Sequence, residues 1–133
     1  MLPGCTQGGA DRPAFKGGPQ TQYAGTMDIL LCLTTCPDET TATTIATTLV
    51  EEGLAACVNL LPGLQSVYRW QGKLDSASEV LLLVKTTANR YPQLEARLQA
   101  LHPYELPELV TVKAHGGLPA YLHWVAEATR PIE

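Results

Sequence analysis

The chain has 133 residues, of which 45% are hydrophobic and 17% charged, and its net charge is −4. That balance fits one core-forming globular domain and leaves no room for two. Lysine and arginine are nowhere clustered as a phosphate backbone requires, and no apolar run reaches the roughly 18 residues that span a bilayer as a helix, so neither nucleic acid nor membrane is an expected partner.

Residues 1–26 hold five glycines before Ala24 and three prolines. They carry Asp11, Arg12 and Lys16, a charge of +1 that leaves −5 on residues 27–133. No apolar h-region is present, so this stretch reads as a flexible extension, either disordered or transit-like. One domain is expected over residues 27–133, beginning at Met27.

The first strand is expected at Asp28–Thr35, where Ile29-Leu30-Leu31-Cys32-Leu33 is uninterrupted and apolar. A helix follows, with Pro37 suited to its first position and Asp38 and Glu39 complementing its dipole. Ala42, Ile45, Ala46, Leu49 and Val50 follow helical spacing, and Gly53 is placed to end the helix. From Leu54 to Thr86 two β-rich runs flank a polar tip at Gln71-Gly72-Lys73, a hairpin pattern. Pro62-Gly63 breaks the first run and predicts a bulge near a sheet edge. A second helix begins near Asn89 or Tyr91, buries Tyr91, Leu94, Leu98 and Leu101, and stops at Pro103. A fourth strand is expected at Leu109–Ala114. A last helix runs from Leu118 or Pro119 to Ala128, with Leu118, Tyr121, Leu122 and Val125 on one side.

This β-α-β-β-α-β order, with an extra C-terminal helix, predicts an α+β, ferredoxin-like split βαββαβ fold. Such a fold covers one sheet face with its two main helices. Yet Val80-Leu81-Leu82-Leu83-Val84, like the first strand, alternates its side chains across both faces. One chain cannot cover both, and an apolar patch left bare marks an interaction surface. Self-association is expected, with Tyr68 and Trp70 as interface anchors.

Four cysteines occur: Cys5, Cys32, Cys36 and Cys57. Cys32 and Cys36 stand about 13 Å apart on an extended strand, too far for a disulfide, so reduced thiols in the cytoplasm are expected. Cys36 at a helix N-terminus is expected to have a lowered pKa and to take Cu(I), or to act as a weak cap. Cys57 reads as a small buried hydrophobe, or else as a soft-metal ligand or a nucleophile, though no base lies next to it in sequence. His102, at a helix end, is either a metal ligand or a histidine bonded to backbone. His115 and His123 are expected at the surface. Lys85 ends the buried strand and needs a partner, such as a carboxylate of the same or a neighbouring subunit. With Glu79, Tyr104 and Glu108 it forms either an interface salt bridge or a polar cleft for an anion or metal. The glycine-loop, nucleophile-elbow and metalloprotease signatures are all lacking, so no enzyme is expected.

Leu54-Ala55-Ala56-Cys57-Val58-Asn59, Tyr68-Arg69-Trp70-Gln71-Gly72-Lys73 and Leu101-His102-Pro103-Tyr104-Glu105-Leu106-Pro107-Glu108 closely resemble the CutA family of divalent-cation-tolerance proteins. Cys36-Pro37-Asp38-Glu39 and Gly117-Leu118-Pro119-Ala120-Tyr121-Leu122 resemble it too. The resemblance covers residues 27–133. It implies a homotrimer joined through long hairpins, a role in response to metal ions, and weak binding of copper or another divalent ion, with no obligatory cofactor. Of the family's proposed copper ligands, the cysteine position is Thr34 here and the first histidine position is Leu101, while Glu108 is kept. Cys36 and His102 lie beside the two changed positions, so Glu108, His102 and Cys36 are the candidate metal ligands. Cys57, Trp70, Glu79, Lys85 and Tyr104 are the candidates for a cleft between subunits. The family's subunit is similar to nitrogen-regulatory PII proteins, which implies a second reading as a small-molecule sensor. An enzyme using Lys85, Glu108 and Tyr104 ranks last.

Overall fold

Strand β1 (Ile29–Cys36) lies inside a four-stranded sheet, as its two-sided apolar run requires. Its neighbours are β3 (Lys73–Thr87) and the short β4 (Val110–Lys113), and β2 (Cys57–Trp70) forms the far edge. The order is β2-β3-β1-β4, every pair antiparallel. The computed structural model describes residues 28–131, so the expectation for residues 1–26 lies outside the described part. Helices α1 (Glu39–Glu51), α2 (Tyr91–Leu101) and α3 (Pro119–Ala128) complete the expected βαββαβ-plus-helix order.

The first helix starts two residues later than the sequence implied. Pro37 precedes it, and Asp38 is the N-cap, in extended conformation, its carboxylate accepting from the Thr41 N–H at 2.7 Å. A cap that satisfies an orphan N–H outweighs the preference of proline for the first turn. The strand consequently runs through Cys36. At its other end α1 closes in a Schellman motif. Gly53 has φ +72, its N–H reaches the Val50 carbonyl at 3.0 Å, and the Leu54 N–H reaches that of Leu49 at 2.9 Å.

Alternation along the strands separates two faces. Cys32, Cys36, Val58, Val80, Leu82 and Val84 point toward α1 and α2, where they pack on Ala42, Ile45, Ala46, Leu49, Leu94 and Leu98. Of the stripes read from the sequence, Ala42, Ile45, Ala46, Leu49, Leu94 and Leu98 are buried, Tyr91 and Leu101 are only partly so, and Val50 is exposed. On the other face α3 covers one corner through Val125, packed with Ile29 and Ala56. The rest of that face is open. Leu31, Leu33, Leu81 and Leu83 are only half-buried, while Leu61, Val110 and Val112 are exposed. Leu118, expected on the buried side of α3, is exposed as well.

The hairpin has the predicted devices. Gln71 (φ +51) and Gly72 (φ +80) form its two-residue turn between the paired Trp70 and Lys73, the left-handed pair that matches strand twist. The register jumps from Leu61↔Leu81 to Leu64↔Glu79, so Pro62 and Gly63 stand against Val80 alone, and Gly63 has φ +82. This is a β-bulge on an edge strand, where the missing proline N–H costs no ladder bond.

Candidate functional site

Helix α2 stops at His102, whose extended backbone (φ −78, ψ 135) ends the helix just before Pro103. That turn swings the imidazole onto the end of β1. His102 Nε2 lies 2.7 Å from the Thr35 carbonyl, and Nδ1 accepts the Tyr104 N–H at 3.1 Å. An acceptor at Nδ1 leaves the ring proton on Nε2, which donates to Thr35. Of the two readings of His102, the backbone-bonded one describes its present contacts.

The same ring nitrogen stands 3.9 Å from Cys36 Sγ. Cys36 is fully buried as the last residue of β1, which corrects its expected place at a helix N-terminus. Its expected lowered pKa is corrected too. Burial pushes the thiol up to about 11, and the negative charges of Asp38 and Glu79 push the same way. Two residues back on the same face, Thr34 buries a hydroxyl that has no hydrogen-bond partner among the described residues.

Tyr104 extends the chain of contacts. Its ring leans on that of His102, with centroids 4.7 Å apart, and its hydroxyl donates to Glu79 Oε2 at 2.7 Å. Burial, followed by this bond and the charge of Glu79, holds the phenol above its ordinary value. Glu79 is 8% exposed. It sits beside the bulge, opposite Leu64. Cys36, His102, Tyr104 and Glu79, drawn from three separate stretches of sequence, therefore form one continuous polar cluster.

The remaining candidates lie apart in kind. Lys85 pairs with the Asn59 side-chain oxygen, which replaces the expected carboxylate within the chain. Lys85 faces the buried Cys57 across the β2–β3 ladder. Asn59 had no signal of its own; only the strand register brings it near Lys85. Tyr68 and Trp70 are 40% and 46% exposed on the outer hairpin, and Glu108 is exposed. His115 is exposed as expected, but His123 is buried, because α3 turns His123, Val125 and Ala126 inward.

Among the described residues no three His, Cys, Asp or Glu side chains are gathered to hold a metal ion. The oxygen cage of a hard cation is therefore missing from this part of one chain. The thiol–imidazole pair of Cys36 and His102 fits a softer ion of the copper type.

A family model described as "CutA1 divalent ion tolerance protein" matches residues 30–128. The chain belongs to the CutA1 family. The divalent-cation tolerance protein CutA of Thermus thermophilus is 54% identical over 97 residues, covering 73% of this chain and 94% of that protein. Protein CutA of Mus musculus is 44% identical over 98 residues, 74% of this chain but 55% of its own length. Among solved structures, the divalent cation tolerance protein Cut A1 of Thermus thermophilus superposes with a TM-score of 0.76 at 51% identity, covering 77% of this chain and 99% of that one. The structural neighbours confirm the mixed α+β subunit. The family name supports a general role in divalent-metal tolerance.

Proposed function

We propose that this CutA1-family chain acts in the cytoplasm as a homotrimer that binds copper or a related divalent ion weakly and takes part in the response to metal ions, without catalysing a reaction. The observation that carries the metal reading is the 3.9 Å approach of Cys36 Sγ to His102 Nε2. Cys36 and His102 supply the inner donors, and the exposed Glu108, which is not gathered with them within one chain, is the carboxylate that would have to close on the ion. Affinity is modest for a physical reason. The thiol must lose a proton that its surroundings hold, and the imidazole must give up its bond to Thr35. The trimer reading rests on the open sheet face and on the exposed Tyr68 and Trp70.

Calorimetric titration with Cu²⁺ tests the proposal. Wild type is expected to bind, with weaker binding in His102→Ala and Glu108→Ala. Unchanged affinity in both variants moves the site elsewhere, with the exposed His115 as the first alternative.

The buried carboxylate of Glu79, held by Tyr104 at the root of the hairpin, favours a second reading. In it a small ligand sits in the clefts between subunits, near Cys57, Trp70, Glu79, Lys85 and Tyr104, as in a PII-like sensor. A thermal-shift screen of metals against small metabolites separates the two, because a ligand of the native state raises its stability.

A further inference from the structure

We infer that Asp75, on the hairpin arm of one copy of the chain, pairs with Lys85 on the open sheet face of the next copy, so that one ion pair fixes where the arm lands. The inference deepens the trimer reading above and rests on it.

The arm stands apart from the rest of the sheet. Strand β1 pairs with β3 only from Val80 to Thr87. Beyond that point residues 64–70 and 73–79 pair with each other alone, as a two-stranded ribbon about 23 Å long. Such a ribbon is marginal in water and needs a surface to lie on.

Alternation sorts the side chains of the ribbon. Tyr68, Trp70, Asp75 and Ala77 share the side of β3 that also carries Leu81, Leu83 and Lys85, while Val67, Arg69 and Leu74 take the opposite side. The first side offers two aromatics and an acid, and the second offers a base. The open sheet face has the pattern complementary to the first: leucines and valines around Lys85, the one cation on its strands. The aromatic side of the arm therefore matches it in both apolar character and charge.

A cation covered by apolar side chains needs a carboxylate, because an unpaired buried charge is costly. Asn59 takes one of the three donors of the Lys85 ammonium. Among the described residues no carboxylate of the same chain forms an ion pair with it. Two carboxylates stand on its side of β3. Glu79 is nearly buried and is held by Tyr104. Asp75 is exposed, and its Oδ1 accepts the neighbouring Ser76 N–H at 2.8 Å, which leaves Oδ2 for a partner. Ten residues of extended strand, about 33 Å, separate Asp75 from Lys85, so the two meet only between copies. Each copy gives one arm and receives one, and the contact repeats around a closed ring.

The test joins the pair covalently in the full-length wild-type protein. A carbodiimide turns a carboxylate–ammonium contact into an amide with no spacer. Linked chains are expected on a denaturing gel, with a peptide joining Asp75 to Lys85 in the digest by mass spectrometry. Asp75→Asn should abolish that peptide. Asp75→Lys sets two cations face to face and should move the mass, by size exclusion with light scattering, from three chains toward one. Adding Lys85→Glu to Asp75→Lys should restore three. Asp75→Lys alters only the exposed arm, so its result stands even where Lys85→Glu disturbs the fold. A three-chain wild type with no Asp75–Lys85 link, or with Lys85 linked to Glu79 instead, overturns the pairing and leaves the trimer standing. An Asp75→Lys protein that keeps three chains does the same. A wild-type mass of one chain removes the trimer and the pairing together.

Discussion

Tyr104 and Glu79 lie 25 positions apart in sequence, and their 2.7 Å hydrogen bond ties the loop after α2 to the hairpin. Tyr104→Phe keeps the ring and removes the only donor that this bond offers to a nearly buried carboxylate. A loss of about 1–3 kcal/mol is expected in urea unfolding, the cost of leaving such a group unsatisfied. Stability equal to wild type would mean that the contact is not formed in solution. The thiols make a second prediction. Burial raises Cys32 to about 11, and burial with Asp38 and Glu79 raises Cys36 to about 11, against an ordinary 9.0. Folded thiols keep their protons where unfolded ones lose them, so the unfolded state binds fewer protons in that window. Stability contributed by the two neutral thiols is present below pH 9 and is lost as pH rises toward 11, at a slope approaching about 1.4 kcal/mol per pH unit for each. Cys36→Ala should flatten the decline between those values, measured by denaturation across the range. An unaltered slope would show Cys36 titrating normally in the fold.

Helix α1 holds four threonines in its first two turns, residues that favour neither helix nor solvent strongly. Packing is what keeps it in place. Leu49 is fully buried between sheet and helices, and its carbonyl also accepts the closing N–H groups of Leu54 and Ala55. Leu49→Ala is expected to cost about 2–5 kcal/mol, read as a shift of the urea midpoint with unchanged slope. A shift near zero would place the stability of α1 in its caps instead. Most of this architecture was legible in the chain. The apolar stripes of α1 and α2, the turn at Gln71-Gly72 and the bulge at Pro62-Gly63 all follow from local spacing and glycine geometry. What was not legible depended on orientation or on partners distant in sequence. Moving the helix start from Pro37 to Glu39 turned Cys36 from a helix-end thiol into a buried strand residue and reversed the sign of its pKa shift. His123 went from surface to interior because its helix packs with that side inward. The pairing of Lys85 with Asn59, and the approach of His102 to Cys36 across 66 positions, exist only once the register is set.

At the scale of the whole molecule the unmet demand is the open sheet face. Leu31, Leu33, Leu81 and Leu83 are half-covered, Leu61, Val110 and Val112 are bare, and Trp70 is 46% exposed on the hairpin beyond them. Lys85 lies among these side chains with an amide oxygen as its partner, so a covering surface has to accommodate a charge as well as leucines. If one chain worked alone, truncating a half-exposed tryptophan would change stability by no more than about 0.5 kcal/mol. If copies of the chain cover the face, Trp70 becomes a buried aromatic, and its truncation costs about 3–5 kcal/mol at each symmetric contact. The two cases differ severalfold, so Trp70→Ala decides between them. The proposed trimer predicts that wild type elutes at three chain masses by size exclusion with light scattering, and that Trp70→Ala moves toward smaller, less stable species at micromolar concentration. A wild-type mass of one chain would remove the assembly altogether. A trimer left intact by Trp70→Ala would keep the assembly but shift its main contact to the bulge at Pro62-Gly63 or to the exposed valines of β4.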